Sequence, residues 1–161
     1  MVLQHSENVG WYIAALEELY AHIRNWLEDT PITVQETIND ISEENIGTYK
    51  APGLRLMNEL DRPIVTIAPV GTQIVGASGR ADFIGPMDRE NIFFFKQGGP
   101  SMTVGVQAPG ENKTRVSPLY RGITTTGWYW IDDRRRAEAH PLNETLFLDL
   151  IARVSDYECA S

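Results

Sequence analysis

Leu27-Glu28-Asp29-Thr30-Pro31-Ile32-Thr33-Val34-Gln35-Glu36-Thr37-Ile38 is the stretch in which the chain changes its hydrophobic period. Before it, apolar side chains fall at Val9, Tyr12, Ile13, Leu16, Leu19, Tyr20, Ile23, Trp26 and Leu27. Steps of three and four residues place these on one stripe of a helix, with Glu17, Glu18 and Arg24 outside it. Pro31 disfavours helical geometry at Thr30 and ends the helix there, while Ser6 is the expected N-cap. After Pro31 the period is two: Ile32, Val34 and Ile38 alternate with Thr33, Gln35 and Thr37, as in a half-buried strand.

Strand patterns continue for most of the remaining chain. Leu54 and Leu56 flank Arg55; Ile64–Ile67, Gln73–Val75, Arg80–Ile84, Ile92–Lys96, Met102–Gln107 and Trp128–Ile131 follow, separated by segments rich in Gly, Pro, Asn and Asp that supply tight reversals. Residues 108–127 are the least patterned stretch, with Ala108–Lys113 and Thr124–Gly127 reading as exposed loops, and Asp132–His140 reads as a charged connector. A closing helix is expected after Pro141, with Asn143 as N-cap and Leu146, Phe147, Leu150, Ile151 and Val154 as its apolar stripe. The fold class is therefore α+β: a helix over 1–30, an antiparallel, strongly twisted meander sheet of about six or seven strands over 31–131, and a helix over 141–157, forming a single domain. Both helices should cover one face or one end of that sheet.

The chain has 161 residues and a net charge of −8, and all the excess lies in its first part. Residues 1–90 hold 14 acidic and 6 basic side chains, against 8 of each in 91–161. No Lys or Arg occurs between Arg24 and Lys50, where Glu28, Asp29, Glu36, Asp40, Glu43 and Glu44 fall. Such a stretch repels phosphate backbones and favours a basic partner. Cys159 is the only cysteine, so no intrachain disulfide forms, and no apolar run reaches the length of a membrane span. A cytoplasmic location, with no membrane association and no cofactor, is the expectation from these features.

Two segments carry residues suited to chemistry. Arg80-Ala81-Asp82-Phe83-Ile84, followed by Glu90 and by Ile92-Phe93-Phe94-Phe95-Lys96, resembles in outline the restriction-endonuclease-like nucleases. That resemblance implies a divalent metal on the Asp82 carboxylate, with Lys96 stabilising developing negative charge, and leaves Glu90 of the intervening loop to substitute for the second carboxylate only through unusual geometry. The sequence departs from the pattern at Phe94, where a carboxylate is required. The competing reading is an Arg80–Asp82 pair on one strand face, since residues two apart point the same way. Trp128-Tyr129-Trp130 followed by Arg134, Arg135 and Arg136 offers aromatic platforms beside cations, a candidate for nucleic acid through Tyr129 and the three arginines. Asp132 and Asp133 offset that charge, and the acidic chain as a whole weighs against nucleic acid as a partner.

His5, His22 and His140 are not in ligand-spaced pairs, and neither a nucleophile elbow nor a phosphate-binding glycine loop is present. No metal site is expected. The leading reading is a non-enzymatic protein-binding domain of the immunity, inhibitor or accessory-subunit type, whose acidic first half faces a basic protein, with a metal-dependent nuclease as the alternative. Homodimerisation through the first helix is a further expectation, because Tyr12, Tyr20 and Trp26 exceed what one contact row requires.

Overall fold

The computed structural model describes residues 2–74, 76–108, 111–132 and 137–157. Helix α1 spans Val2–Trp26 and α2 spans Glu144–Ser155. Between them run β1 (Thr33–Glu43), β2 (Gly47–Met57), β3 (Pro63–Gly71), β4 (Gly79–Ile84), β5 (Arg89–Phe95), β6 (Ser101–Ala108), β7 (Glu111–Pro118), β8 (Gly127–Asp132) and β9 (Glu138–Pro141). Seven of these form one sheet in the order β1-β2-β3-β4-β5-β8-β9, and β6 and β7 form a separate two-stranded sheet. Every pairing between the strands is antiparallel. The α+β architecture read from the sequence is thus the observed one, a meander interrupted by a hairpin between β5 and β8.

Both helices pack on the same face of the large sheet. Tyr12, Leu16, Leu19, Tyr20, Ile23 and Leu27 of the first helical segment join Phe147, Leu150, Ile151 and Val154 of α2 in one core with Leu54, Leu56, Val65, Ile67, Phe83, Ile92 and Trp128. Burying a side chain of this kind contributes roughly 1.5–3 kcal/mol, so this layer dominates the stability of the fold. The hydroxyl of Tyr12 donates to the Arg80 carbonyl at 2.6 Å and accepts from the Val70 and Gly71 amides at 3.1 and 3.2 Å, tying α1 to β3 and β4. Tyr20 donates to the Pro52 carbonyl at 2.7 Å. Burial pushes both phenols well above their ordinary pKa, since the anion would sit in apolar surroundings.

Strong twist shows most clearly in the β1–β2 ribbon. Its register runs unbroken from Thr33↔Met57 to Glu43↔Gly47, yet the buried parity changes along it. Leu54 and Leu56 face the core in one half, while Ala51, Ile41 and Tyr49 do so in the other. Two-stranded ribbons twist more than wide sheets, and a rotation along the ribbon accommodates both sets without a bulge.

Four details of the sequence reading are corrected. Helix α1 runs through Ser6, which is therefore not its N-cap. β7 begins inside the 108–113 segment expected as loop and runs on to Pro118, through residues with no alternating apolar set to mark a strand; Val116 is 67% exposed. The connector contains β9, and the strand expected over Gln73–Val75 is represented by an Ile74↔Ala77 bridge, Val75 itself lying outside the described residues. Asn143 does cap α2, its Oδ1 accepting from the Leu146 amide at 2.9 Å. Among the described residues no helix is long and apolar enough to cross a membrane.

Candidate functional site

The outer face of the sheet, away from the helices, carries Arg80 and Asp82 side by side. Arg80 grips the Asp82 carboxylate through Nε and Nη2 at 2.8 and 3.1 Å, and Nη2 also donates to Asn91 Oδ1 at 3.3 Å. Arg89 lies 3.8 Å from the same carboxylate. Asp82 is 4% exposed, so this bidentate pair is what permits a carboxylate there at all. The strand-face pairing weighed against the metal reading is thus what the fold contains. Glu90 pairs across from Phe83 on the helix side and accepts from Trp130 Nε1 at 2.9 Å. Lys96 reaches the α1 side as well, its Nζ lying 5.4 Å from the Trp11 ring centroid. Asp82, Glu90 and Lys96 are not brought to one place, and no group of three or more His, Cys, Asp or Glu among the described residues is arranged to hold a metal.

Tyr129 is 1% exposed and belongs to a small second core with Phe95, Ile123 and Ala139 on the outer sheet face. Its hydroxyl donates to the Thr125 carbonyl at 2.7 Å. A base has no access to that ring, which corrects its candidacy as a stacking platform: the loop carrying Ile123 folds back over the face that Tyr129 shares. Arg134, Arg135 and Arg136 lie outside the described residues.

The acidic set separates into distinct roles. Glu43 is structural, its carboxylate accepting from the Thr72 and Gln73 amides at 2.8 and 2.7 Å, from the Thr72 hydroxyl and from Tyr49. Burial first, and then this hydrogen bond to Glu43, push the Tyr49 phenol up. Glu36 bonds Arg24 at 3.2 Å and Asp40 bonds Lys50 at 3.0 Å, both on the surface, where such pairs contribute little. Glu28, Asp29 and Glu44 are exposed. Glu36 and Asp40 flank Ile38, which is 74% exposed. All three lie two residues apart on β1 and share a strand face. Among the described residues β1 is also the outermost strand of the sheet, hydrogen-bonded to β2 alone. Its free side presents unpaired backbone donors and acceptors over an eleven-residue strand.

The stripe on which dimerisation through α1 was argued is covered by the protein's own sheet, with Tyr12 and Tyr20 both 1% exposed. The sheet takes most of the stripe, leaving Val9, Ile13 and Trp26 half-buried, so Tyr12 and Tyr20 form no uncovered aromatic row. What α1 does leave open is a cleft of about 560 Å³ between itself, the β5–β8 floor and the start of α2. Trp11, Trp26, Phe94 and Trp128 line it, with Glu18, His22, Asn143 and Glu144 as polar groups. Trp11 meets Phe94 edge-on at 5.0 Å, and Phe94 meets Trp128 likewise at 5.3 Å. Trp128 Nε1 donates to the Ala15 carbonyl at 3.1 Å, which fixes its ring. The sequence reading missed this cleft: Trp11, Glu18 and His22 are outside the core stripe, though their spacing of seven and four residues aligns them on one adjoining face.

Comparison with protein-family models, with curated proteins and with solved structures finds no match to this chain. The class that fold and surface define is an α+β domain with one open, acidic sheet edge and an aromatic cleft.

Proposed function

We propose that this chain is a non-enzymatic binding domain that engages a basic protein partner along β1. The observation that carries the reading is the open edge itself, with Glu36, exposed Ile38 and Asp40 on one strand face. An extended segment added to a sheet edge gains backbone hydrogen bonds, and its alternate side chains supply specificity. A segment with an apolar residue flanked two positions away by Lys or Arg on each side matches acid, apolar, acid in spacing and sign. A second copy of β1 does not match. Antiparallel pairing of Ile38 with its own copy sets Glu36 against Asp40 at both ends, and like charges opposite one another destabilise a sheet. The surface ion pairs to Arg24 and Lys50 exchange readily for a partner's cations, because exposed pairs hold by little.

Acidic complementarity acts through association rate and specificity and is screened by salt. The test is affinity capture from the native host with the wild-type chain and with Glu36→Lys/Asp40→Lys, at low and high ionic strength. A stoichiometric basic protein retained by the wild type at low salt and lost on charge reversal is the expected result. Recovery of no stoichiometric partner, or of one indifferent to the reversal, overturns the proposal.

A further inference from the structure

The aromatic cleft lies away from the acidic edge and is independent of the reading given for β1. Its volume of about 560 Å³ is in the range that holds small molecules. Its rings are those of Trp11, Trp26, Phe94 and Trp128, and its carboxylates are Glu18 on α1 and Glu144 on α2; His22 also lines it, and among the described residues no Lys or Arg does. His22 lies 3.9 Å from Glu18, whose side chain is largely open to solvent. The partial positive charge at the start of α2 is offset by Glu144 in its first turn, and Asn143 takes up one of the free backbone N–H groups there.

A ring face attracts a cation through its quadrupole, and more so where water is partly excluded. The molecule uses this attraction twice on its own surface, with Lys96 Nζ 5.4 Å from the Trp11 ring centroid and the Arg153 guanidinium 5.0 Å from that of Trp130. The cleft itself brings rings and carboxylates together, and among the described residues no Lys or Arg lines it, although Lys96 already stands by Trp11, one of those rings. We infer that this cleft binds a small organic cation, an ammonium group carried on an apolar or aromatic body, with the body against Trp11, Phe94 and Trp128 and the charge between Glu18 and Glu144.

Benzyltrimethylammonium is the probe, with benzyl alcohol as its neutral control and benzoate as its anionic one. Each is titrated into the full chain, followed by tryptophan fluorescence and by the indole N–H resonances. Saturable binding of the ammonium, about tenfold tighter than benzyl alcohol, with shifts at Trp11 and Trp128 and none at Trp130, is the expected result. The Glu18→Gln/Glu144→Gln variant, whose two sites are exposed, should keep the fold and lose that tenfold preference. Trp11→Leu should weaken binding as well, since Trp11 is 43% exposed and can be replaced without opening the core. Ile38→Thr should leave the titration unchanged, which separates this site from the β1 edge. Equal binding of benzyl alcohol, retention of the preference in the double variant, no saturable binding up to tens of millimolar, or shifts centred on Trp130 would each overturn the inference.

Discussion

The large sheet ends in two edges, and they are finished in opposite ways. β9 is four residues long, ends at Pro141, and is partly covered on its outer side, where the Ala139 amide donates to the Arg121 carbonyl at 2.8 Å. β1 is eleven residues long, contains no proline and pairs with β2 without a bulge. Short length, proline and a covering loop are the means by which proteins close an edge against unwanted pairing, and β9 has all three. β1 has only its charges, Glu36 and Asp40, set about exposed Ile38. Acidic side chains refuse another acidic strand and admit a basic one, so the same residues that protect this edge select what pairs with it.

The largest effect is expected at the closed edge. Gly122 has φ +95°, and a Cβ there would lie 2.6 Å from the Ala139 carbonyl oxygen. Gly122→Ala should therefore cost about 3 kcal/mol and expose the β9 amides to hydrogen exchange. Denaturant midpoints unchanged by this substitution would show that β9 is not held by its cover. At the open edge, Glu43→Gln should cost about 2 kcal/mol, because an amide cannot accept from Thr72, Gln73 and Tyr49 as the carboxylate does. Exchange should then rise at the far end of β1 and remain unchanged in β9.

Alkali probes the helix layer under β1 to β4. Tyr12 and Tyr20 have folded pKa values raised above that of the unfolded chain, near 10. Above about pH 10 the unfolded chain releases these protons while the folded one keeps them, so stability is fully present below that pH and is lost as pH rises. The slope approaches about 1.4 kcal/mol per pH unit for each tyrosine. Tyr20→Phe should reduce that slope, as read from urea midpoints between pH 9 and 11. The smallest effect on stability is expected from Ile38→Thr, within about 0.5 kcal/mol, since the side chain is already in water. Its effect on capture of a basic partner should be large by comparison, about tenfold or more. A variant that binds as well as the wild type would remove Ile38 from the recognition surface.

Much of the helix layer was legible in the residues. Tyr12, Leu16, Leu19, Tyr20, Ile23 and Leu27 of the first stripe and Phe147, Leu150, Ile151 and Val154 of the second are buried as their spacing requires, because they face an apolar sheet. The Arg80–Asp82 pair also followed from the strand period alone. β7 and β9 did not, since Glu111-Asn112-Lys113-Thr114-Arg115 and Glu138-Ala139-His140-Pro141 have no alternating apolar set to reveal a strand. Tyr129 was misplaced for a related reason: the strand period says that it faces away from Trp128 and Trp130, but not that a distant loop buries that second face.

Local periodicity and turn chemistry determine from the sequence alone that this chain is a helix, an antiparallel run of strands and a helix, and that its negative charge is concentrated before residue 91. Which strand stands at an open edge, which carboxylate is used internally by Thr72 and Gln73, and which rings remain beside a cleft were decided by tertiary packing. These properties depend on contacts between residues tens of positions apart, and the period of any single segment carries no information about what a remote segment covers.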